Sequence, residues 1–421
     1  MKVDEPYRTL PLNHGLNSSG KMGNTLRQYK AEMEEQLKNI LSWWMEFSPD
    51  NVHGGFVGKV DHANKIYPEA PKGSVLNSRI LWAFSSAYNQ SGNEDYLKFA
   101  ERAFDYFTTH FIDGEFGGVY WTVDFAGKPL SDKKQIYALA FAVYGLSEYY
   151  LASGNYTAKE KAIEVYNDIL VYSHDEKFGG YIEALTRDWQ DIADLRLSSK
   201  DENEKKSMNT HLHVLEAFTN LYRIWKDELL QQRLRELIRI FLDYIIDPNA
   251  HHVILFFDEA WNSKSDTISY GHDIEAAWLL QEAAEVLEDD SLLKTVKATS
   301  IKIAEAAADG LDMDGGLWHE YNAMQGQWLK EKHSWPQAEA MIGFFNAWQI
   351  TGDEKFLNQS LNSWQFVKKY ILDMQLGEWY WGVRDDYSPM LHEDKLGLWK
   401  CPYHNTRACV EIIQRINRTL N

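Results

Sequence analysis

Two kinds of amphipathic segment alternate along the chain, and both repeat their apolar positions with the 3.6-residue period of an α-helix. Segments of the first kind keep a polar face and cover residues 27–46, 95–109, 158–172, 231–244, 293–307 and 354–370. Segments of the second kind are apolar on almost every face and cover residues 77–88, 134–150, 209–224, 271–287, 335–350 and 404–418. Because a helix that is apolar all round is buried, the second set predicts the inner layer of the fold.

A short aromatic stretch, in most cases with glycine, follows each segment of the first kind. The six stretches are HGGFVGKVD from His53, FGGVYWTVD from Phe116, FGGYIEAL from Phe178, the diverged HHVILFFDEAW from His251, DGGLWHEYN from Asp314 and LGEWYWGVRDD from Leu376. Glycine favours a tight turn, and the alternating residues behind it favour a short strand. Most successive stretches are about 60 residues apart, and such a period is typical of a repeat architecture.

Six helix pairs predict an all-α protein, an (α/α)6 barrel with short β-hairpin-like loops between the pairs. A β-propeller also has regular repeats, but its blades lack long segments of helical period. We assign residues 25–421 to one catalytic barrel domain. Residues 1–24 are polar, contain Pro and Gly, and predict a flexible N-terminal tail.

The inner helices of such a barrel all run in the same direction, so their first turns meet at one end. Those turns contain Arg79, Tyr137, Asn209, His213, His272, Glu275, Trp335, Glu339 and His404. His272 and Glu275 are three residues apart and share a helix face, and the positive end of the helix favours the neutral imidazole that a base requires. Each residue alone has a structural interpretation as a cap, an ion pair or core packing. Their convergence at one mouth favours a functional site.

Composition narrows the class of partner. The 421-residue chain has a formal net charge of −19 and no block of Lys and Arg, which argues against nucleic acid and anionic membranes. No apolar run approaches the ~20 residues of a membrane span. The 16 Trp and 23 Tyr suit the stacking of sugar faces on aromatic rings, although core packing is the commoner role of any single ring.

The cysteines and the N-terminal residues favour a cytoplasmic protein. Cys401 and Cys409 would lie about 12 Å apart along a helix, too far for a disulfide. Free thiols fit a reducing compartment. The opening residues MKVDEPYRTLPLNHG lack the apolar core that is typical of a signal peptide.

Three converging histidines and one cation favour proton transfer next to a carbonyl group. Histidines take and return protons near neutral pH, and Arg79 would stabilise the oxygen of an enediolate. A glycoside hydrolase needs an Asp/Glu pair, for which Glu275 and Glu339 are available, but the histidines would then have no role. His211 and His213 lie two apart and face different ways on a helix, which argues against a metal pair. Because no glycine-rich loop has phosphate-binding spacing, no nucleotide is expected.

The segments around these residues resemble the N-acylglucosamine 2-epimerase superfamily, and within it the cellobiose 2-epimerases. The most specific segments are RLSSKDENEKKSMNTHLHVLEAFTNLYR, SYGHDIEAAWLL, HSWPQAEAMIGFFNAW and WKCPYHNTRACVE. The likeness covers nearly the whole chain after the tail. Mannose isomerases and the acylglucosamine epimerases are similar in barrel and histidines, but they differ in the WPQAEA and CPYHN segments.

The resemblance implies reversible epimerisation at C2 of the reducing-end glucose of β-1,4-linked disaccharides through an enediolate. Cellobiose would give 4-O-β-glucosyl-mannose, and lactose and mannobiose would be further substrates. The resemblance implies no metal and no cofactor. We expect a small-molecule disaccharide as the partner, and a monomer or weak homo-oligomer.

The resemblance also implies a role for each residue at the mouth. His272 and His404 resemble the base and acid on opposite faces of C2, and His213 resembles the group that assists ring opening. Arg79 would hold the enediolate oxygen, and Glu275 would orient His272 or tune its pKa. Substrate contacts are implied for Tyr137, Asn209, Trp335, Glu339 and Trp399.

Among these contacts, Glu339 is expected to bind sugar hydroxyls, and Trp335 and Trp399 are expected to stack on sugar rings. The polar segment 189–206 is long for its place in the repeat, which fits a lid over the mouth and a solvated loop equally well.

Three other functions stay open at this point. An aldose–ketose isomerase acting on mannose-type monosaccharides would use the same residues. A glycoside hydrolase would depend on a carboxylate pair instead. A non-catalytic carbohydrate-binding protein would keep the tryptophans but has no use for opposed histidines.

Overall fold

The computed structural model describes residues 20–420, where outer and inner α-helices alternate along the chain. The outer helices are α1 (Gly20–Phe47), α3 (Glu94–His110), α5 (Tyr156–Tyr172), α7 (Glu228–Ile240), α9 (Asp290–Ala307) and α11 (Glu354–Phe366). The inner helices are α2 (Ser74–Ser91), α4 (Ile136–Ser153), α6 (Met208–Ile224), α8 (Tyr270–Val286), α10 (Ser334–Thr351) and α12 (Tyr403–Leu420). Every predicted helix is present.

The inner helices form a closed ring. Each contacts the next in the order α2, α4, α6, α8, α10 and α12, and α12 packs against α2. The outer helices cover the ring, with α1 against α12, α3 against α2, α5 against α4, α7 against α6, α9 against α8 and α11 against α10. The protein is therefore the predicted all-α (α/α)6 barrel.

Burial explains the two sequence patterns. In α4 every residue from Ile136 to Tyr149 is buried, whereas α3 buries a stripe that includes Ala100, Ala103 and Phe107. An inner helix packs against two ring neighbours and an outer helix, so it has no face left for water. Within residues 20–420, no helix combines the length and the apolar character needed to cross a membrane.

Helix boundaries differ from the prediction mainly at the first helix. Helix α1 begins at Gly20, because Met22 packs against the core and Leu26 is buried one turn later. It therefore includes residues 20–24 of the predicted tail, and residues 1–19 of that tail lie outside the described residues. At the other ends, α7 and α11 finish in π turns (Phe241–Ile245 and Val367–Ile371), and α9 finishes in a 3-10 turn (Ala308–Gly310).

Short antiparallel strands connect the repeats. They are β1 (Lys72–Gly73), β2 (Thr122–Val123), β3 (Pro129–Ser131), β4 (Lys134–Gln135), β5 (Ala184–Leu185), β6 (Lys206–Ser207), β7 (Phe256–Phe257), β8 (Thr267–Ser269), β9 (Glu320–Asn322), β10 (Gln327–Leu329), β11 (Lys332–His333) and β12 (Gly382–Val383). The sheets are β1-β2-β3, β4-β5, β6-β7, β8-β9-β10 and β11-β12. Each joins the residues before an inner helix to the run behind the next turn, as in the pair Lys72 and Val123. The first predicted run forms isolated bridges instead, between Val60 and both Ile66 and Leu396.

An ion pair between a buried lysine and an aspartate recurs at the mouth of the barrel and was not predicted. In each case a lysine that precedes an inner helix reaches an aspartate in an adjacent turn. The Nζ–Oδ2 pairs are Lys72–Asp50 (2.8 Å), Lys134–Asp113 (2.8 Å), Lys206–Asp175 (2.7 Å), Lys332–Asp312 (2.8 Å) and Lys395–Asp373 (2.7 Å). These pairs hold the turns against the approaches to the inner helices, where the candidate site lies.

Candidate active site

The first turns of the inner helices surround a cavity of about 600 Å³ at one end of the barrel. This volume is in the usual range for small-molecule sites. Of the sequence-predicted site residues, the cavity is lined by Arg79, Tyr137, Asn209, His213, His272, Glu275, Trp335, Trp399 and His404. The predicted convergence of these side chains is therefore present in the fold, with Glu339 as the exception.

His272 lies in the first turn of α8 and presents its ring to the cavity. Its Nδ1 is 2.8 Å from Oγ of Ser269, and its ring centroid is 4.8 Å from that of Trp335. Burial and the neighbouring His213 lower the pKa of His272 to about 3. The imidazole is therefore neutral at neutral pH, as a proton acceptor must be.

His404 lies in the first turn of α12 and also lines the cavity. Its Nδ1 is 2.7 Å from Oε1 of Glu339 and 4.0 Å from Oε1 of Glu275. Burial, with Arg407 nearby, holds the pKa of His404 well below its usual range. The ring centroids of His404 and Trp335 are 5.5 Å apart, so Trp335 has His272 and His404 as neighbours.

His213 projects from α6 with only 3% of its side chain exposed. Its Nδ1 lies 2.9 Å from Oε2 of Glu216, and its ring meets the edge of Tyr137. Burial lowers the pKa of His213, and the Glu216 carboxylate opposes that shift. A histidine held in this way leaves Nε2 as the nitrogen available to a ligand.

Arg407 organises the carboxylates behind the histidines, and the sequence analysis missed it. Its guanidinium is buried and donates hydrogen bonds to Glu216, Glu275 and Glu339. It also contacts the hydroxyl of Tyr403. The available signal was its position, one turn after Tyr403 and His404 in a helix that the sequence predicts to be buried, because a buried arginine requires charged partners.

The carboxylates have opposite pKa shifts, although all of them are buried. Burial alone would raise the pKa of Glu216, but Arg407 and His213 lower it to about 2. Burial and the neighbouring Glu339 raise the pKa of Glu275 to about 8, and burial also raises that of Glu339. The Glu275–Glu339 pair therefore keeps a proton near neutral pH, next to Nδ1 of His404.

Glu275, Glu339 and His404 also place ligand atoms within 4.8 Å of one another, a spacing that a metal ion would accept. The Arg407 guanidinium already bonds both carboxylates, so a cation occupies the position where a metal would be needed. His211 is held elsewhere: its Nδ1 contacts the Ser207 carbonyl, and its Nε2 accepts the Tyr181 N–H.

Arg79 projects into the cavity from α2. Its Nη2 donates to the Tyr137 hydroxyl at 2.7 Å, and its Nη1 lies 3.5 Å from Sγ of Cys401. The guanidinium stacks over Phe141 at 4.2 Å and over Tyr403 at 4.7 Å. Because no carboxylate forms an ion pair with Arg79 in the described residues, its charge remains available to an anionic oxygen in the cavity.

Two predicted roles do not match the contacts. Glu275 bonds Arg407, and the partner of His272 Nδ1 is Ser269, so Glu275 does not orient His272. Glu339 is fully buried and accepts hydrogen bonds from Trp278 and Arg407, so it does not face a sugar. The side chain of Glu339 projects from α10 towards Arg407, so its carboxylate lies behind His404.

The remaining predicted contacts are at the cavity wall. Asn209 has an Oδ1 without a hydrogen-bond partner among the described residues, and Trp399 lies 5.9 Å from the Tyr137 ring. From the polar segment 189–206, residues 197–202 line the cavity. They are held at one end by Gln135, whose Nε2 donates to the Arg196 carbonyl at 2.9 Å.

Comparison with known proteins gives a consistent result. Residues 54–408 match the N-acylglucosamine 2-epimerase (GlcNAc 2-epimerase) family. The cellobiose 2-epimerase of Bacteroides fragilis is 48% identical over 385 residues, which cover 91% of this chain and 98% of the relative. The solved cellobiose 2-epimerase of Spirochaeta thermophila superposes with a TM-score of 0.89 at 37% identity, covering 94% of this chain and 99% of that one. The D-mannose isomerase of Marinomonas mediterranea is 23% identical over 92% of this chain and 98% of the relative. The chain therefore belongs to the N-acylglucosamine 2-epimerase family.

Proposed function

We propose that this enzyme reversibly epimerises C2 of the reducing-end glucose of β-1,4-linked disaccharides, converting cellobiose to 4-O-β-glucosyl-mannose and accepting lactose or mannobiose. One observation carries the proposal. Two neutral imidazoles from separate inner helices, His272 and His404, lie within 4.8 and 5.5 Å of the Trp335 ring, in the same cavity as Arg79. Epimerisation needs one group to remove a proton from C2 and another to add a proton on the opposite face.

The open-chain sugar is required first, because only the free aldehyde makes the C2 proton acidic. His213 supports this step: Glu216 holds Nδ1, so Nε2 is free to move a proton between the ring oxygen and the C1 hydroxyl. The C1–O5 bond breaks, and the aldehyde at C1 forms as the proton transfers to O5.

The C2–H bond then breaks. In the direction in which His272 is the base, its Nε2 takes the proton, and the electron pair of C2 moves into the enediolate. Arg79 donates N–H groups to the enediolate oxygen and balances its charge.

The proton for the other face comes from the His404 side. The Glu275–Glu339 pair keeps a proton near neutral pH, and Glu339 lies at Nδ1 of His404. When Nδ1 receives that proton, His404 delivers the one on Nε2 to C2, so the configuration inverts and the proton count balances. The reverse reaction exchanges the two roles.

The second candidate is aldose–ketose isomerisation of mannose-type monosaccharides. It uses the same enediolate but returns the proton to C1, so the same histidines would serve it. Glycoside hydrolysis is less favourable, because it needs two carboxylates at the scissile bond. Glu339 is buried behind His404, which leaves only Glu275 of the predicted pair at the cavity.

The test is proton NMR of cellobiose incubated with the protein in D2O without added metal or nucleotide. We expect glucosyl-mannose with deuterium at C2. Intact cellobiose, together with mannose converting to fructose in a parallel sample, would favour the isomerase. Free glucose would identify a hydrolase and contradict the roles of the histidines.

We further expect the protein to act in the cytoplasm as a monomer or weak homo-oligomer. Both cysteines, Cys401 and Cys409, are buried and free, which suits a reducing compartment. Light scattering of the purified protein over a range of concentrations measures the oligomeric state.

A further inference from the structure

The hydroxyl of Ser269 does not form the bond that its position predicts. Ser269 is the N-cap residue of α8. A serine at an N-cap accepts a hydrogen bond from a backbone N–H two or three residues later. In α8 that bond is absent, and Oγ lies 2.8 Å from Nδ1 of His272 instead.

Other helices of the barrel show the ordinary behaviour. Ser207, at the same position of α6, accepts the N–H of Thr210 at 3.1 Å. The outer helices are capped through the side chains of Asn93, Asn155, Asp227, Asp289 and Asp353. Ser269 is completely buried, so water does not replace the missing cap. The hydroxyl is therefore committed to the imidazole.

We infer that Ser269 is a positioning residue for His272, and that its Oγ accepts the Nδ1 proton so that Nε2 faces the cavity unprotonated. The inference rests on the proposed function, in which Nε2 of His272 exchanges a proton with C2 of the sugar.

The physical argument concerns tautomers. A neutral imidazole carries one N–H, and the partner of one nitrogen decides which nitrogen is free. His213 and His404 have glutamates at Nδ1, Glu216 and Glu339, and an ionised carboxylate such as that of Glu216 stabilises the imidazolium. A hydroxyl holds the ring without adding a negative charge. His272 consequently returns its proton readily, which a reversible epimerisation requires.

The test compares Ser269→Ala, Ser269→Thr and the matched capping variant Ser207→Ala. For Ser269→Ala we expect kcat to fall about tenfold with KM within twofold of wild type, and no change in unfolding temperature, because no cap is lost. Ser269→Thr keeps the hydroxyl and should recover kcat to within about threefold. Ser207→Ala should show the opposite pattern, an unfolding temperature lower by 1–2 °C or so and kcat within twofold of wild type.

A substrate-free measurement separates this inference from the proposed function. In ¹⁵N-histidine-labelled protein, the His272 signals are assigned by their loss in His272→Gln, and their shifts report the tautomer. We expect unprotonated Nε2 in wild type and a mixture of tautomers in Ser269→Ala. Two results for Ser269→Ala would overturn the inference. One is an unchanged ¹⁵N spectrum, and the other is a kcat equal to that of a wild type that epimerises the substrate. A wild type that epimerises no β-1,4-linked disaccharide would refute the proposed function, while the spectrum would still decide whether Ser269 sets the tautomer.

Discussion

The chemistry of the site depends on how each buried charge is balanced. Arg407 bonds Glu216, Glu275 and Glu339, yet only Glu216 has a lowered pKa. One guanidinium does not offset the burial of all three carboxylates, so the Glu275–Glu339 pair retains a proton. That proton lies where His404 needs one.

Glu339→Gln tests whether the Glu275–Glu339 pair supplies this proton to His404. The amide can still donate a hydrogen bond to Nδ1 of His404, but it neither carries a negative charge nor gives up a proton. We expect kcat to fall about 10- to 100-fold, which corresponds to an activation free energy higher by about 1.4–2.7 kcal/mol. KM should stay within threefold of wild type. Steady-state epimerisation assays measure both constants. Glu285→Gln, on the exposed part of α8, is the control and should match wild type. A Glu339→Gln enzyme with wild-type kcat would show that the Glu275–Glu339 pair does not supply the proton.

His211 supplies a prediction about stability and pH. Burial lowers its pKa to about 3, against about 6.5 in an unfolded chain. Between these values the unfolded state binds the proton and the folded state does not, so the folded state loses stability as the pH falls. Relative to His211→Gln, wild type should lose about 1.4 kcal/mol of unfolding free energy for each pH unit below about 6.5. Urea unfolding of both proteins at several pH values measures this difference. A constant difference would show that His211 binds protons equally in the folded and unfolded states.

At the scale of elements, the turns between outer and inner helices position the site. Five of these turns use glycine at positive φ and are held by a buried lysine paired with an aspartate, whereas the turn after α7 has His251 at φ +62°. Gly180 has φ +78°, and a Cβ there would lie 2.5 Å from the Trp261 ring and 2.7 Å from Nε2 of His211. The turn after α5 therefore packs directly against the start of α6, from which His213 projects.

Gly180→Ala and Gly154→Ala form a matched pair. Both glycines have positive φ, +78° and +68°, but a Cβ at Gly154 meets nothing within 4 Å. Gly154→Ala should cost only the backbone strain, about 1 kcal/mol. Gly180→Ala adds overpacking of about 1–3 kcal/mol and should also lower kcat, because α6 shifts. Thermal unfolding and kinetic assays measure both effects. Equal losses of stability in the two variants would contradict the close packing at Gly180.

At the scale of the whole molecule, six separate helix pairs create one enclosed mouth. The starts of the inner helices and the hairpins beside them line most of the cavity. Residues 197–202, within the long polar segment, complete the wall. This placement agrees with the hypothesis that the segment 189–206 covers bound substrate, which stays a prediction.

Replacing residues 199–202 by two glycines tests the covering role. We expect KM for cellobiose to rise about tenfold, equivalent to about 1.4 kcal/mol of binding, because one wall of the cavity is lost. The value of kcat should also fall, since water would enter. Steady-state kinetics measure both, and the unfolding temperature checks that the barrel is intact. Unchanged KM and kcat would make the segment a solvated loop.

Much of this architecture follows from local patterns. The 3.6-residue period and the difference between one-sided and all-round apolar helices predicted the twelve helices and their layers. These patterns suffice because each inner helix must bury every face. The common direction of the inner helices then placed His213, His272 and His404 at one mouth without any knowledge of side-chain contacts.

The partners of those residues depended on tertiary structure. Glu275 and Glu339 were expected to contact His272 and a sugar, but both carboxylates accept hydrogen bonds from Arg407 of the last helix, and Glu339 lies behind the cavity wall. The sequence alone determined which helices form and which of their ends meet, because hydrophobic periodicity is a local property. Only the closed ring decided which charges are neighbours, because it buries an arginine and three carboxylates from four different helices side by side. Burial couples these groups, so the pKa of each depends on the other three.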